Sequence, residues 1–135
     1  MNNCIFCKIA SGTIPAYKVF EDENYLAFLD IAPVNPGHVL IIPKKHFVDI
    51  TETPDEIVEG AITLAKKIGG KIIASKLGEG FNIGINTKTA AGQVVNHFHI
   101  HVMPRLPNDK YQLWHGKNYA AAEAEKIVEK LKLEE

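Results

Sequence analysis

The chain has no apolar run near the ~20 residues that a membrane-spanning helix requires, so no span of that kind is expected. Cysteine is almost missing, with two residues, Cys4 and Cys7. The start, Met1-Asn2-Asn3, shows no basic stretch leading into an apolar block, so no secretory leader is read. The cysteine pair therefore reads as reduced thiols or metal ligands and not as a disulfide framework. Excess charge is missing too: Lys and Arg number 15, Asp and Glu 16, for a net charge of -1. No basic field exists to hold a long nucleic acid, and a small anionic ligand must be caught by local groups. Repeats and low-complexity tracts are absent. What remains is an ordinary globular composition, 46% hydrophobic and 23% charged over 135 residues. That length suits one domain (1–135) with a real core. The expectation is a cytoplasmic protein with no membrane or long nucleic-acid partner.

Against this plain background stands His97-Phe98-His99-Ile100-His101-Val102-Met103. Apolar residues alternate with three histidines, the period of a β-strand with one buried face. Phe98, Ile100 and Val102 would enter the core, and the imidazoles would project together from the other face, about 7 Å apart step to step. A solvated strand face usually mixes Thr, Lys, Glu and Ser. Three imidazoles titrating near neutral pH suit chemistry better than solvation. Three chance surface histidines are the competing reading.

Other strands read at Lys18-Val19-Phe20, Tyr25 to Asp30, His38 to Pro43 and Phe81 to Asn86. Between the second and third lies a Pro- and Gly-containing turn, Pro33 to Gly37. A long helix is expected over 53–78. Thr53 would cap it, Pro54 would take the first position and Glu56 would complete a capping box. Ile57, Ala61, Leu64, Ile68 and Ile72 form its apolar face. Gly78 would end it. Gly69-Gly70 costs about 1 kcal/mol per residue against Ala, which reads either as a bent helix or as close approach of another backbone, such as a partner subunit. From about Asn118 a second helix carries Ala124, Ile127, Val128 and Leu131 on one side. These patterns give α+β with an antiparallel sheet. Cys4-Ile5-Phe6-Cys7 is a Cys-x-x-Cys knuckle; a thioredoxin-like site would place it after a strand, and no strand is read before it.

The His-run fills the His-φ-His-φ-His-φ-φ signature, φ being apolar, and the chain resembles the histidine triad (HIT) superfamily of nucleotide hydrolases and transferases. The block Leu26-Ala27-Phe28, Asp30, Gly37-His38 and Ile42-Pro43-Lys44-Lys45-His46 is similar too, as are Asn86 and Gly92-Gln93. Val94 departs from it where many relatives carry Ser, and Asn96 departs mildly. The resemblance covers a core of 4–106, followed by an extension with a helix over 107–135. It implies a HIT-like fold, with about five antiparallel strands, one long helix and a C-terminal helix, and a homodimer.

The resemblance also implies roles. His99 would be the nucleophile, attacking the α-phosphorus of a bound nucleotide, with His38 and His101 flanking the phosphate. Asn86, Gln93, Gly92 and Val94 would position that group. Ile5, Phe6, Ile9, Phe28 and Ile31 would form the nucleoside slot, with Asp30 on the ribose. An apolar slot holds a flat base by area, which favours purines. Cys4, Cys7, His46 and His97 would close a structural zinc site, one per subunit; two thiolates and two neutral imidazoles leave no open position for water. A catalytic zinc on His97, His99 and His101 would leave the cysteines unexplained. The expected activity is hydrolysis of purine nucleoside 5′-phosphoramidates or other adenylated compounds. The alternatives are a dinucleoside polyphosphate hydrolase and a zinc-stabilised nucleotide-binding scaffold. His115 and Trp114 read as surface or packing residues.

Overall fold

Strand alternation divides the core into two layers. The computed structural model describes residues 3–134; Met1 and Asn2, read above for a leader, and Glu135 lie outside the described residues. In chain order the main elements are α1 (Ile5–Ala10), β1 (Lys18–Glu21), β2 (Tyr25–Leu29), β3 (Val39–Pro43), α2 (Asp55–Ala74), β4 (Gly80–Gly84), β5 (Ile100–Arg105) and α3 (Glu123–Leu131). The strands form one antiparallel sheet in the order β1-β2-β3-β5-β4. This is the expected HIT-like α+β architecture, with one helix more than expected. The extra helix is α1, six residues long, and Cys4 caps it: the thiol sulfur accepts the Cys7 N–H at 3.2 Å.

One sheet face carries Tyr25, Ala27, Val39, Ile41, Phe98, Ile100 and Val102, and α2 covers it with Ala61, Leu64, Ala65, Ile68 and Ile72. The other face carries Leu26, Phe28, Leu40 and Ile42 against Phe6 and Ile9 of α1. Both layers follow from the two-residue period of β2 and β3.

Two glycines let α2 lie close to the sheet. A Cβ on Gly60 would strike the Tyr25 hydroxyl, which donates to the Ile57 carbonyl at 2.8 Å. A Cβ on Gly69 would collide with the Phe81 ring, whereas nothing lies within 4 Å of one on Gly70. Within the chain, Gly69 is thus the one of the pair that a neighbour approaches closely, and that neighbour is the Phe81 side chain.

The helix ends differ from expectation. Pro54 is the N-cap, without a side-chain cap, and the Thr53 hydroxyl instead donates to the Asp49 carbonyl at 2.8 Å. That bond closes a 3-10 turn over Ile50–Glu52, which the sequence reading did not include. At the other end α2 stops at Ala74, four residues before Gly78. Lys76 adopts φ 64°, and the Lys76 and Leu77 N–H groups return to Ile73 and Ile72 carbonyls, each at 3.1 Å. This is a Schellman closure with lysine in the left-handed position that usually falls to glycine.

The histidine run is not a strand along its whole length. Regular strand begins only at Ile100, because the β3–β5 ladder stops at the Ile41–Ile100 pair. Continued in that register, Ile42 would face His99 and Pro43 would face Phe98, and Pro43 has no N–H to give. The Pro43 carbonyl instead accepts from His97 Nε2 at 2.8 Å, and the Phe98 N–H crosses to the Phe47 carbonyl at 2.7 Å. Side-chain alternation nevertheless continues through the irregular residues.

After β5 the chain runs through Leu106 to Ala122 without helix or strand. None of the apolar side of α3 is buried, and Trp114 is 98% exposed.

Candidate active site

Side-chain alternation through the run that leads into β5 delivers His97, His99 and His101 to the face opposite α2. From there they join two different groups of residues.

His101 pairs in register with Leu40, near His38, the residue just before β3. His38 Nε2 and His101 Nδ1 are 3.0 Å apart. The Val34 N–H donates to His38 Nδ1 at 3.0 Å, so the proton of neutral His38 sits on Nε2. His38 then donates to His101 Nδ1, and the His101 proton is placed on Nε2. His99 Nδ1 lies 2.8 Å from the His97 carbonyl, which can only accept. The His99 proton is thus on Nδ1, and Nε2 keeps a free lone pair.

Burial, first of all, holds His38, His99 and His101 below the ordinary imidazole range, His101 down to about 4 with His99 and His38 beside it as further causes. Phe6 contributes to that burial, its ring edge-on to His99 with centroids 5.0 Å apart. Near neutral pH the site presents one nucleophilic nitrogen and one N–H donor, both uncharged.

His99 and His101 line a cavity of about 760 Å³. Ile5, Phe6, Ile9, Phe28, Asp30 and Ile31 lie on its wall, as do Asn86, Gly92 and Val94. Two expected residues stand apart from the wall. His38 sits behind His101. The Gln93 side chain turns inward: Nε2 donates to the Val48 and Val95 carbonyls at 2.7 and 3.0 Å, and Oε1 accepts the Lys88 N–H at 2.9 Å. The rim is apolar, with Ile31 92% and Val94 90% exposed. Sequence reasoning missed the wall formed by Ile14, Pro15, Ala16 and Tyr17; apolar residues around a proline before a strand were the available signal.

Loop 30–38 is held from outside. Arg105 pairs with Asp109 at 2.7 Å, and Asn35 donates to Asp109 and to the Pro104 carbonyl at 3.0 and 2.9 Å. The Arg105 guanidinium keeps the Asp109 carboxyl far below the usual range. Asp30 accepts the Ala32 N–H with one oxygen and holds the other 3.6 Å from His38 Nε2.

The second group forms at the other end of the run. Donor atoms of Cys4, Cys7, His46 and His97 all lie within 4.8 Å of one another. Cys4 Sγ and Cys7 Sγ are 3.3 and 3.5 Å from His97 Nδ1, and Cys7 Sγ is 3.2 Å from His46 Nδ1. Because His97 Nε2 donates to Pro43, its Nδ1 faces the sulfurs with a bare lone pair. Burial and the adjacent Cys4 push the Cys7 thiol up to about 11, so two thiolates here call for a cation. Around a tetrahedral zinc, sulfur and nitrogen ligands would be ~3.5 Å apart. The residues fit such an ion. Asp30, His38 and His101 also converge, yet His38 meets a backbone N–H with one nitrogen and so carries its proton on the other, which suits a relay and not a metal.

Residues 11–108 match the HIT domain family. A HIT family protein of Bacillus anthracis has a similar structure, with a TM-score of 0.86, 40% identity, and coverage of 96% of this chain and 95% of that one. A zinc-bound histidine triad family protein of Mycobacterium smegmatis is similar at TM-score 0.79 and 42% identity, covering 87% of this chain and 85% of that one. The adenylylsulfatase HINT3 of Arabidopsis thaliana is 41% identical over 80% of this chain and 55% of its own length. Several relatives at 42–50% identity are named only as HIT-like proteins. With the HIT domain matched over residues 11–108 and relatives of 40% identity or more covering most of its length, the chain belongs to the HIT family.

Proposed function

We propose that the protein hydrolyses purine nucleoside 5′-phosphoramidates or other adenylated compounds at the α-phosphate, through a nucleotidyl-His99 intermediate. The observation that carries this reading is His99, with Nδ1 committed to a backbone carbonyl and Nε2 free at a nucleotide-sized cavity. Family membership and the adenylylsulfatase relative support nucleotide hydrolysis in general. Nε2 bonds to phosphorus as the bond to the leaving group breaks. The leaving group departs with the electron pair and is protonated from water. The imidazolium formed is stabilised by the His97 carbonyl, which accepts its Nδ1–H. Water then attacks phosphorus, the P–Nε2 bond breaks, and nucleoside monophosphate and a proton are released. The His101 Nε2–H would hydrogen-bond a phosphate oxygen as its charge grows. Asp30 would take the ribose hydroxyls, and Phe6, Phe28 and the isoleucines the base.

Cys4, Cys7, His46 and His97 would hold a structural zinc, which fixes the segment carrying Ile5 and Phe6. Among the described residues no Lys or Arg lines the cavity, its histidines are neutral near pH 7, and Asp30 adds a carboxylate. A polyphosphate bearing several negative charges finds no counter-charge there, which favours substrates with a single phosphate between nucleoside and leaving group. The test is release of AMP from a panel comprising adenosine 5′-phosphoramidate, adenylyl sulfate and diadenosine tetraphosphate. Faster release from the first two supports the reading. Faster release from the tetraphosphate overturns the charge assignment, and no release from any supports a binding protein instead.

A further inference from the structure

Asp49 is 1% exposed, one of the most deeply buried polar side chains described. Its Oδ1 accepts the Thr51 N–H and hydroxyl at 2.8 and 2.6 Å. Its Oδ2 has no hydrogen-bond partner among the described residues and lies 2.9 Å from Lys88 Nζ as one half of an ion pair. A buried carboxylate needs a compensating charge, and Lys88 reaches in from a loop 39 positions along the chain to supply it.

Lys88 is itself unusually placed. Its φ is 73°, in the half of backbone space that glycine occupies freely and L side chains rarely adopt. Glycine would fit this backbone with less strain; what lysine adds is the ammonium. The residue is also a hub. Its N–H donates to Gln93 Oε1, and its carbonyl accepts the Ala91 and Gln93 N–H groups at 3.1 and 3.2 Å. Gln93 then reaches the Val48 carbonyl. Two adjacent residues, Val48 and Asp49, thus grip the 87–93 loop at two points. That loop joins Asn86 to Gly92 and Val94, all on the cavity wall beside His99.

We propose that the Asp49–Lys88 ion pair is a latch that fixes the 87–93 loop, so that Asn86 and the Gly92 and Val94 backbone are preorganised around the α-phosphate. The proposal rests on the phosphoryl-transfer reading above. Asp49 and Lys88 are positioning residues: neither lines the cavity, and both act through the loop. Misplacing such groups by about 1 Å costs on the order of 100-fold in rate.

The test uses the full chain and variants at Lys88, whose side chain is 65% exposed. Lys88→Met removes the charge and keeps the backbone strain. Lys88→Gly removes both, and Lys88→Arg keeps the charge. Hydrolysis of adenosine 5′-phosphoramidate, thermal midpoint and amide exchange at Ala91 and Gln93 are measured for each. Lys88→Met and Lys88→Gly should lose roughly 10- to 100-fold in kcat with KM within about threefold. Their Ala91 and Gln93 amides should exchange at least about tenfold faster. Lys88→Arg should restore both to within about threefold. Lys88→Gly should be no less stable than Lys88→Met while just as slow, a split that a purely structural role would not give. Exchange unchanged in Lys88→Met, or faster exchange with kcat within about threefold of wild type, overturns the latch. If the wild type turns over no adenylated probe, phosphoryl transfer fails separately, and exchange alone decides whether the ion pair holds the loop.

Discussion

The two faces of the sheet are made from the same strands and held by different means. On the α2 face, Phe98, Ile100 and Val102 meet a helix of 20 residues, and apolar area does the work. On the α1 face, His97, His99 and His101 come from the same run, one residue out of phase, and meet a helix of six. So short a helix covers little area. Besides its smaller apolar cluster, that face is tied by directed contacts: His97 to the Pro43 carbonyl, His99 to the His97 carbonyl, His38 to His101, and the Cys4–Cys7–His46–His97 cluster. Thin cover leaves room for a cavity, and the directed contacts set each imidazole's proton. One face can therefore be specialised for stability while the other is specialised for chemistry.

Neighbouring residues on opposite faces should break apart most sharply. His99→Ala is expected to lose on the order of 10³-fold or more in kcat, about 4 kcal/mol, because the proposed nucleophile has no substitute. Ile100→Ala is expected to lose about 2–5 kcal/mol of stability, with its folded fraction still turning over. AMP release and urea unfolding on both variants check the pair. Near-wild-type turnover by His99→Ala would refute its role.

The next effect tests the directed contacts. Replacing Cys4 and Cys7 together by Ser should remove about one zinc per chain, read by elemental analysis, and loosen the wall at Ile5 and Phe6. Losing that wall should cost roughly 1–3 kcal/mol of binding, about 5- to 150-fold in KM. Because Phe6 also lies on His99, the variant should show the acid limb of its rate profile moved up in pH as water reaches the imidazole.

In the wild type that limb should lie low. Burial depresses His99 and His38, and it takes His101 to about 4, so kcat/KM should hold as pH falls through 6.5 and drop only below it. Stability should begin to fall earlier. The unfolded chain takes up protons on these histidines from about pH 6.5 downward, while the folded chain does so only at lower pH, so stability declines from about 6.5 toward 4. Parallel kinetic and denaturant titrations should separate the two curves.

The smallest effects belong to the helix that covers the apolar face. Gly70→Ala should stabilise by about 0.5–1 kcal/mol, since its Cβ meets nothing. Gly69→Ala should destabilise by about 1–3 kcal/mol, since its Cβ meets Phe81. Equal and favourable shifts in the thermal midpoint would mean that the close approach has no energetic weight.

Much of this was legible in the sequence because it depends on local periods. Alternation put Phe98, Ile100 and Val102 on one face and the histidines on the other, and helical spacing found the buried side of α2. What was not legible depends on a distant partner. The late start of β5 follows from Pro43, which is 57 positions before Ile100. Gly69 and Gly70 look alike until Phe81 is placed against one of them. Thr53 looked like a cap because nothing local showed that its hydroxyl would close the turn at Asp49. The Gln93 amide looked like a phosphate ligand, but its partners at Val48 and Val95 exist only once the loop is folded back. The proton positions on the imidazoles lie furthest from sequence, since backbone carbonyls and one N–H select them.

The exposed tail has an optical consequence. Trp114 is the single tryptophan of the chain, and it stands in solvent on the segment between β5 and α3. Its emission in the folded protein should match that of a solvated indole, so unfolding of the sheet passes almost unseen at that wavelength. The same silence makes the indole a clean probe. A blue shift at constant temperature and denaturant reports something covering the tail, and it does so against a background to which the core contributes nothing.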